Sequence, residues 1–157
     1  MLSCTQFIPA YSELFTFLEE REGYDGVMRY WTHVSDQYVE PRLGECLKKS
    51  GLAGCFDYWS HSLNEEAADF TMTLDEDAGY FEIEMKNCPS KGMLLSLPDF
   101  KPYPRYCEHC DTLYHLVANR YGLGYDYDFS QCDRACCRLR VFDPAKFGAG
   151  APEGAAP

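Results

Sequence analysis

The chain has 157 residues and a mass of 18.0 kDa, the length of one domain. Apolar residues make up 46% and aromatics 15%, enough for a packed core, which excludes global disorder. A formal charge of −11 and a pI near 4.7 exclude the clustered cationic surface that nucleic acids and anionic membranes require.

The first part of the chain reads as helical. Pro9 suits a first helical turn, and Tyr11, Leu14, Phe15 and Leu18 follow at helical spacing up to Gly23. Tyr24 to Tyr38 carries Val27, Met28, Trp31 and Val34 in the same period, and Pro41 is expected to interrupt it. A short segment from Leu43 to Lys49 and a helix from Cys55 to Ala68, with Trp59 and Leu63 on one side, complete the helical part. The period then becomes two. Phe70, Met72 and Leu74 alternate with threonines, and Phe81, Ile83 and Met85 alternate with Glu82 and Glu84. The turn chemistry of 75–79 joins them as a hairpin. A loop with an apolar run from Met93 to Leu97 leads past Pro98 and Pro102 to a helix from Pro104 to Tyr121, closed by Gly122. Tyr125, Tyr127 and Phe129, and then Cys137, Leu139 and Val141, read as two more strands. The expected fold is α+β: N-terminal helices followed by a β-β-α-β-β unit, with an antiparallel sheet and a helix packed on one face. The expected domain spans 1–147, mainly helical over 1–68, and the Gly/Ala/Pro-rich 148–157 reads as a flexible tail.

Nine cysteines are an odd number, so they cannot all pair internally. The start of the chain has neither a basic stretch nor an apolar run resembling a secretory signal, and no long apolar run reads as a membrane span. The expectation is therefore a cytoplasmic protein with reduced thiols. Six of the nine gather in the second half as Cys88, then Cys107-x2-Cys110-x21-Cys132-x3-Cys136-Cys137. Two close pairs about twenty residues apart match the form of a four-thiolate site, with Cys107, Cys110, Cys132 and Cys137 as ligands for zinc, iron or an iron–sulfur cluster. The same residues can equally be small core side chains or reactive thiols. Cys107 and Cys110 fall in the first turns of the expected helix, where its dipole favours a thiolate. His109 between them can act as base, as ligand or as a solvated first-turn residue. Strand alternation aims Cys136 away from Cys137. Cys4, Cys46 and Cys55 read as packing residues, and His115 as structural. Glu82, Glu84, Asp126, Asp128, Arg138 and Arg140 fall on the sheet face without apolar residues. They read either as a solvated charged face or, for Arg138 and Arg140, as readers of a substrate carboxylate. Asp99, Asp111 and Asp133 stand near the cysteines as candidate acid–base groups.

Tyr106-Cys-Glu-His-Cys-Asp111, Leu113-Tyr114, Cys132-Asp-Arg-Ala-Cys-Cys-Arg-Leu-Arg140 and the upstream Cys88-Pro89 resemble the 2-aminothiazoline-4-carboxylate hydrolase-like family of small Cys-rich proteins. The resemblance covers about Phe70 to Val141. It implies an α+β fold and hydrolytic opening of a small sulfur-containing ring at a C–N bond. Carried onto this chain, it implies that Cys107, His109, Cys110 and Asp111 form one half of a site and Cys132 and Cys137 the other, with Cys136 a departure from the pattern. A more distant likeness to 4-vinyl reductase-like ligand-binding domains implies small-molecule sensing. The expected function is hydrolysis of a small cyclic amidine or thiazoline-like substrate. Cys107 or Cys110 would be nucleophile or ligand, His109 base and Asp111 orienter. The alternatives are a zinc, iron–sulfur or small-ligand binding module and, more weakly, a Cys107–Cys110 thiol–disulfide switch. The expected partner is a small molecule, not nucleic acid or membrane.

Overall fold

A computed structural model describes residues 4–64 and 68–148. The first helix, α1 (Cys4–Val34), is two arms joined at Gly23, whose φ of 70° lies in the left-handed region that glycine enters at little cost. Gly23 is itself non-helical, so the first helical arm ends there as expected and the second starts directly after it. Pro41 does not interrupt the chain, because the next stretch, Ser35–Gly44, runs on as a π-helix. Proline has no N–H for the usual ladder, and the wider π spacing carries the backbone past it. Arg42 supports this stretch by donating to the Tyr38 carbonyl at 2.9 Å and covering the Tyr38 ring.

Helices α2 (Glu45–Ser50) and α3 (Leu52–Asn64) fold back on each other. They approach so closely that a Cβ on Gly54 would meet the Cys46 carbonyl oxygen at 2.2 Å. The expected helix to Ala68 runs partly outside the described residues, as does the tail beyond Gly148. Strands β1 (Asp69–Asp75) and β2 (Tyr80–Asn87) form the expected hairpin. The segment read as a loop holds a further helix, α4 (Pro89–Ser96). Its start is a cap: Pro89 occupies the first turn, and the Cys88 sulfur accepts from the Lys91 amide at 3.4 Å. Residues 104–107 form a turn, so α5 (Glu108–Arg120) starts later than its proline signal implies. Strands β3 (Gly124–Asp128) and β4 (Cys137–Phe142) follow. The sheet is antiparallel, in the order β1-β2-β4-β3. The architecture is α+β, with helices on one face of the sheet. Among the described residues no helix is long and apolar enough to cross a membrane.

Register gives the sheet two unlike faces. Phe81 pairs with Val141, Ile83 with Leu139 and Met85 with Cys137, while Glu82 pairs with Arg140 and Glu84 with Arg138. The apolar face packs with Val39, Leu43, Trp59, Leu113 and Val117 as one core. The outer face is a ladder of charge. Arg140 Nε donates to Glu82 at 2.9 Å, and Arg138 reaches Asp126 at 3.4 Å. Exposed pairs of this kind contribute only about 0.2–1 kcal/mol each. A second core of Phe15, Val27, Trp31, Leu94, Tyr103 and Tyr106 lies between the arms of α1, α4 and the turn before α5.

Two buried serines tie these parts together. Ser12 Oγ accepts from the Tyr103 amide at 2.8 Å, and Ser35 Oγ donates to the Leu113 carbonyl at 2.8 Å. Removing an acceptor strands the Tyr103 N–H, whereas the Leu113 carbonyl keeps its place in the α5 ladder. Ser12→Ala is therefore expected to lower stability by about 1–3 kcal/mol, and Ser35→Ala by about 0.5–1.5 kcal/mol. Urea unfolding of the two variants checks the order, and equal losses would contradict it.

Candidate functional site

The helices do not cover the apolar sheet face to its end. Trp59 stacks on Phe81 with ring centres 5.5 Å apart, closing one side. Toward the Cys137 end, Ile83, Met85, Leu139 and Tyr127 face a cavity of about 640 Å³ instead. Ile8, Tyr11 and Tyr30 from the arms of α1 form another wall, Trp59 and Leu63 from α3 a third, and Tyr106, His109, Cys110 and Tyr114 a fourth. The cavity thus lies where the two cores meet, and both supply its walls.

His109 is set into this wall by the turn that precedes α5. Its Nδ1 bonds the Tyr106 carbonyl oxygen. A carbonyl only accepts, so Nδ1 carries the proton and Nε2 presents its lone pair. That lone pair faces Cys110 Sγ at 3.4 Å, with the thiol as donor. The ring packs edge-on against Tyr11 and Tyr106, with Phe15 and Trp31 also in contact. Burial lowers the His109 pKa to about 4, and the bond to Tyr106 offsets part of that effect. At neutral pH the imidazole is therefore uncharged, and the Cys110 sulfur stands at its lone pair, oriented for proton transfer from sulfur to nitrogen.

The other thiols stand behind this pair. Cys88, Cys107, Cys110, Cys132, Cys136 and Cys137 line one small cavity of about 40 Å³, which shares the wall formed by His109, Tyr106 and Tyr127 with the large one. Burial and the nearby Cys110 raise the Cys107 thiol pKa. Burial pushes Cys137 up to about 12, although a hydrogen bond from Tyr127 acts the other way. Cys107 and Cys137 are thus thiols at neutral pH. Cys136 bonds the Lys86 carbonyl at 3.2 Å, and both it and Cys137 line a groove on the outer sheet face, while of the two only Cys137 also reaches the large cavity. Among the described residues no three His, Cys, Asp or Glu side chains are grouped so as to hold a metal ion. The expected ligands Cys107, Cys110, Cys132 and Cys137 therefore share a cavity lining without a common ligand sphere.

Other expected roles are redistributed. The base at His109 is oriented by the Tyr106 carbonyl, whereas half-buried Asp111 lines neither cavity. Asp111 has its pKa raised by burial, with His115 opposing. Cys110, not Cys107, meets the imidazole. Cys107 sits at the N-cap of α5 with no side-chain capping bond and packs toward the second core. Arg138 lines the outer groove of about 610 Å³ with Lys86 and Arg134. Arg140 is held by Glu82 and covers the rings of Tyr80 and Phe147. Neither arginine lines the cavity that holds His109 and Cys110. Asp99 and Asp133 are exposed, and His115 is an exposed residue stacked on Tyr125. Cys55 is fully buried in the core, and the expectation for the Cys4 side chain lies outside the described residues. Helical spacing puts Tyr114 on one face with Cys107 and Cys110, but gives no sign that Tyr11, Tyr30, Tyr106 and Tyr127 join it.

The His109 value gives a pH dependence with a definite sign. Its folded-state pKa lies below the ordinary 6.5, so protons bind the unfolded chain first. The associated stability is complete above about pH 6.5 and declines as pH falls toward about 4. The decline from this group is expected to be about 2–3 kcal/mol. Urea midpoints measured between pH 7.5 and 4.5 should fall less in His109→Gln than in the unmodified protein. An unchanged slope would reject the buried neutral imidazole.

No family model, curated protein or solved structure matches this chain, so the likeness to thiazoline hydrolases rests on the motif residues between Phe70 and Val141 alone.

Proposed function

We propose that the protein is a thiol-dependent hydrolase of a C–N bond in a small cyclic amidine or thiazoline-like molecule, with Cys110 as nucleophile and His109 as general base. The observation that carries this reading is the 3.4 Å contact between Cys110 Sγ and His109 Nε2 in the wall of a cavity large enough for a small molecule. His109 Nε2 accepts the thiol proton as sulfur bonds to the ring carbon and the C=N π electrons move to nitrogen, which takes that proton from His109. Water then gives one proton through Nε2 to the nitrogen as the C–N bond breaks, and its hydroxide bonds to the sulfur-bound carbon. The C–S bond to Cys110 breaks as this oxygen becomes the product carbonyl, and the hydroxyl proton restores the Cys110 thiol. A neutral resting imidazole suits this sequence, because it is free to accept the thiol proton. A reducing, cytoplasmic setting would keep the surrounding thiols in the state the step needs.

The test is turnover of a thiazoline panel, read as loss of ring absorbance in the ultraviolet. Cys110→Ala and His109→Gln should each lower kcat/KM at least about 100-fold. Cys107→Ser should stay within a few-fold of the unmodified protein. Turnover unaffected by Cys110→Ala would sink the proposal.

A second reading has its own observation, the six cysteines around one 40 Å³ cavity. All-thiol surroundings favour soft cations such as zinc, and a site of this kind could also hold part of an iron–sulfur centre. Because the thiols are not grouped as ligands, a cation would have to draw them inward and displace their protons. Anaerobic titration with cadmium should then give the thiolate-to-metal absorption band at about one equivalent, weakened in Cys107→Ser and Cys132→Ser. A flat titration removes this reading and leaves the hydrolase standing.

A further inference from the structure

The large cavity has an electrical character that bears on what can enter it. Among the described residues that line it, none is Asp, Glu, Lys or Arg. The titratable side chains there are tyrosines, cysteines and His109. Burial raises the pKa values of Tyr11, Tyr106 and Tyr127, and it lowers that of His109, so each of these groups is uncharged at neutral pH. The cationic side chains of the neighbouring strands lie elsewhere. Arg138 and Arg140 belong to the outer sheet face and are engaged with Glu82 and Asp126. Lys91 lines the small thiol cavity beside Cys107.

A carboxylate bound here finds no opposite charge among the described lining residues. An ion without a partner is disfavoured in apolar surroundings, and the usual relief is to bind the neutral species instead. What the walls do offer is ring faces, thioether and thiol sulfur, and phenol hydroxyls. Tyr11, Tyr30, Trp59, Tyr114 and Tyr127 present aromatic surface that favours offset or edge contacts with a flat ring. Met85, Cys88 and Cys137 add polarisable sulfur. The neutral phenols can donate to a ring nitrogen or a carbonyl oxygen.

We propose that this cavity selects an uncharged, planar, mostly apolar heterocycle and discriminates against the same ring bearing a carboxylate. The inference rests on the hydrolase reading for the identity of the reacting ring, and it sets that substrate apart from the acid implied by the family resemblance. A neutral ester, amide or unsubstituted thiazoline is the class that fits, and Arg138 and Arg140 have no part in holding it.

Isothermal titration of the full chain at pH 7.5 tests this with three probes sharing one ring: 2-phenylthiazoline-4-carboxylate, its methyl ester and its methylamide. Cys110→Ala protein is used alongside the unmodified protein so that binding is read without turnover. The ester and amide should bind at least about 30-fold more tightly than the acid, about 2 kcal/mol. An acid that binds as tightly as the ester overturns the inference, and so does failure of both neutral probes to bind at millimolar concentration. The two readings fail separately. If the ester binds but its ring is never opened by the unmodified protein, the hydrolase fails and the neutral cavity stands. If the acid is opened faster than the ester, and Cys110→Ala abolishes this, the hydrolase stands and the neutral cavity falls.

Discussion

An antiparallel sheet with one apolar face must have that face covered, and the way it is covered decides where everything else goes. Phe81, Ile83, Met85, Leu139 and Val141 lie on the same side, and desolvating them supplies much of the drive for the helices to pack there. Trp59, Leu113 and Val117 satisfy the Phe81–Val141 end. The other end is shielded only at a distance, by the arms of α1 and the start of α5. Ile83, Met85 and Leu139 are buried members of the core and at the same time form one wall of the cavity.

Burial keeps the His109 imidazole uncharged at rest. His109 therefore differs from the imidazolium partners of exposed reactive cysteines, which hold a thiolate by their positive charge. Here orientation does the preparatory work. The Tyr106 carbonyl fixes the tautomer, and rings on several sides restrict the imidazole. The dipole of α5 acts on the thiol from the first turn, but burial outweighs it for the neighbouring Cys107, whose pKa rises.

Much of the fold can be read from residue order because it is local. The alternation in 70–74, 81–85 and 137–141 specifies the strands and their charged backs, and the structure pairs those segments in a single sheet. Errors arise where one residue type has two uses. Gly23 does separate two helical arms, whereas Pro41, which ordinarily stops a helix, is carried through a π-helix. Cys88-Pro89 reads as the end of a strand and is also the cap of α4. The cysteines that stand close in sequence, from Cys88 to Cys137, line one small cavity together with His109. The choice between Cys107 and Cys110 depends on a difference of three residues along a turn whose start is set by Tyr103 and its bond to Ser12. The aromatic lining comes from segments far apart in sequence, Tyr11 and Tyr30 against Tyr114 and Tyr127, and no local period connects them.

Both arms around Gly23 serve two surfaces: Phe15, Val27 and Trp31 enter the second core, while Ile8, Tyr11 and Tyr30 face the cavity. The sheet is built from other parts of the chain. Phe7 and Ile8 line the cavity without belonging to the rings packed on His109. In a protein of this design, the mouth of a chamber can be reshaped at two positions of one helical arm while the strand register stays as it is.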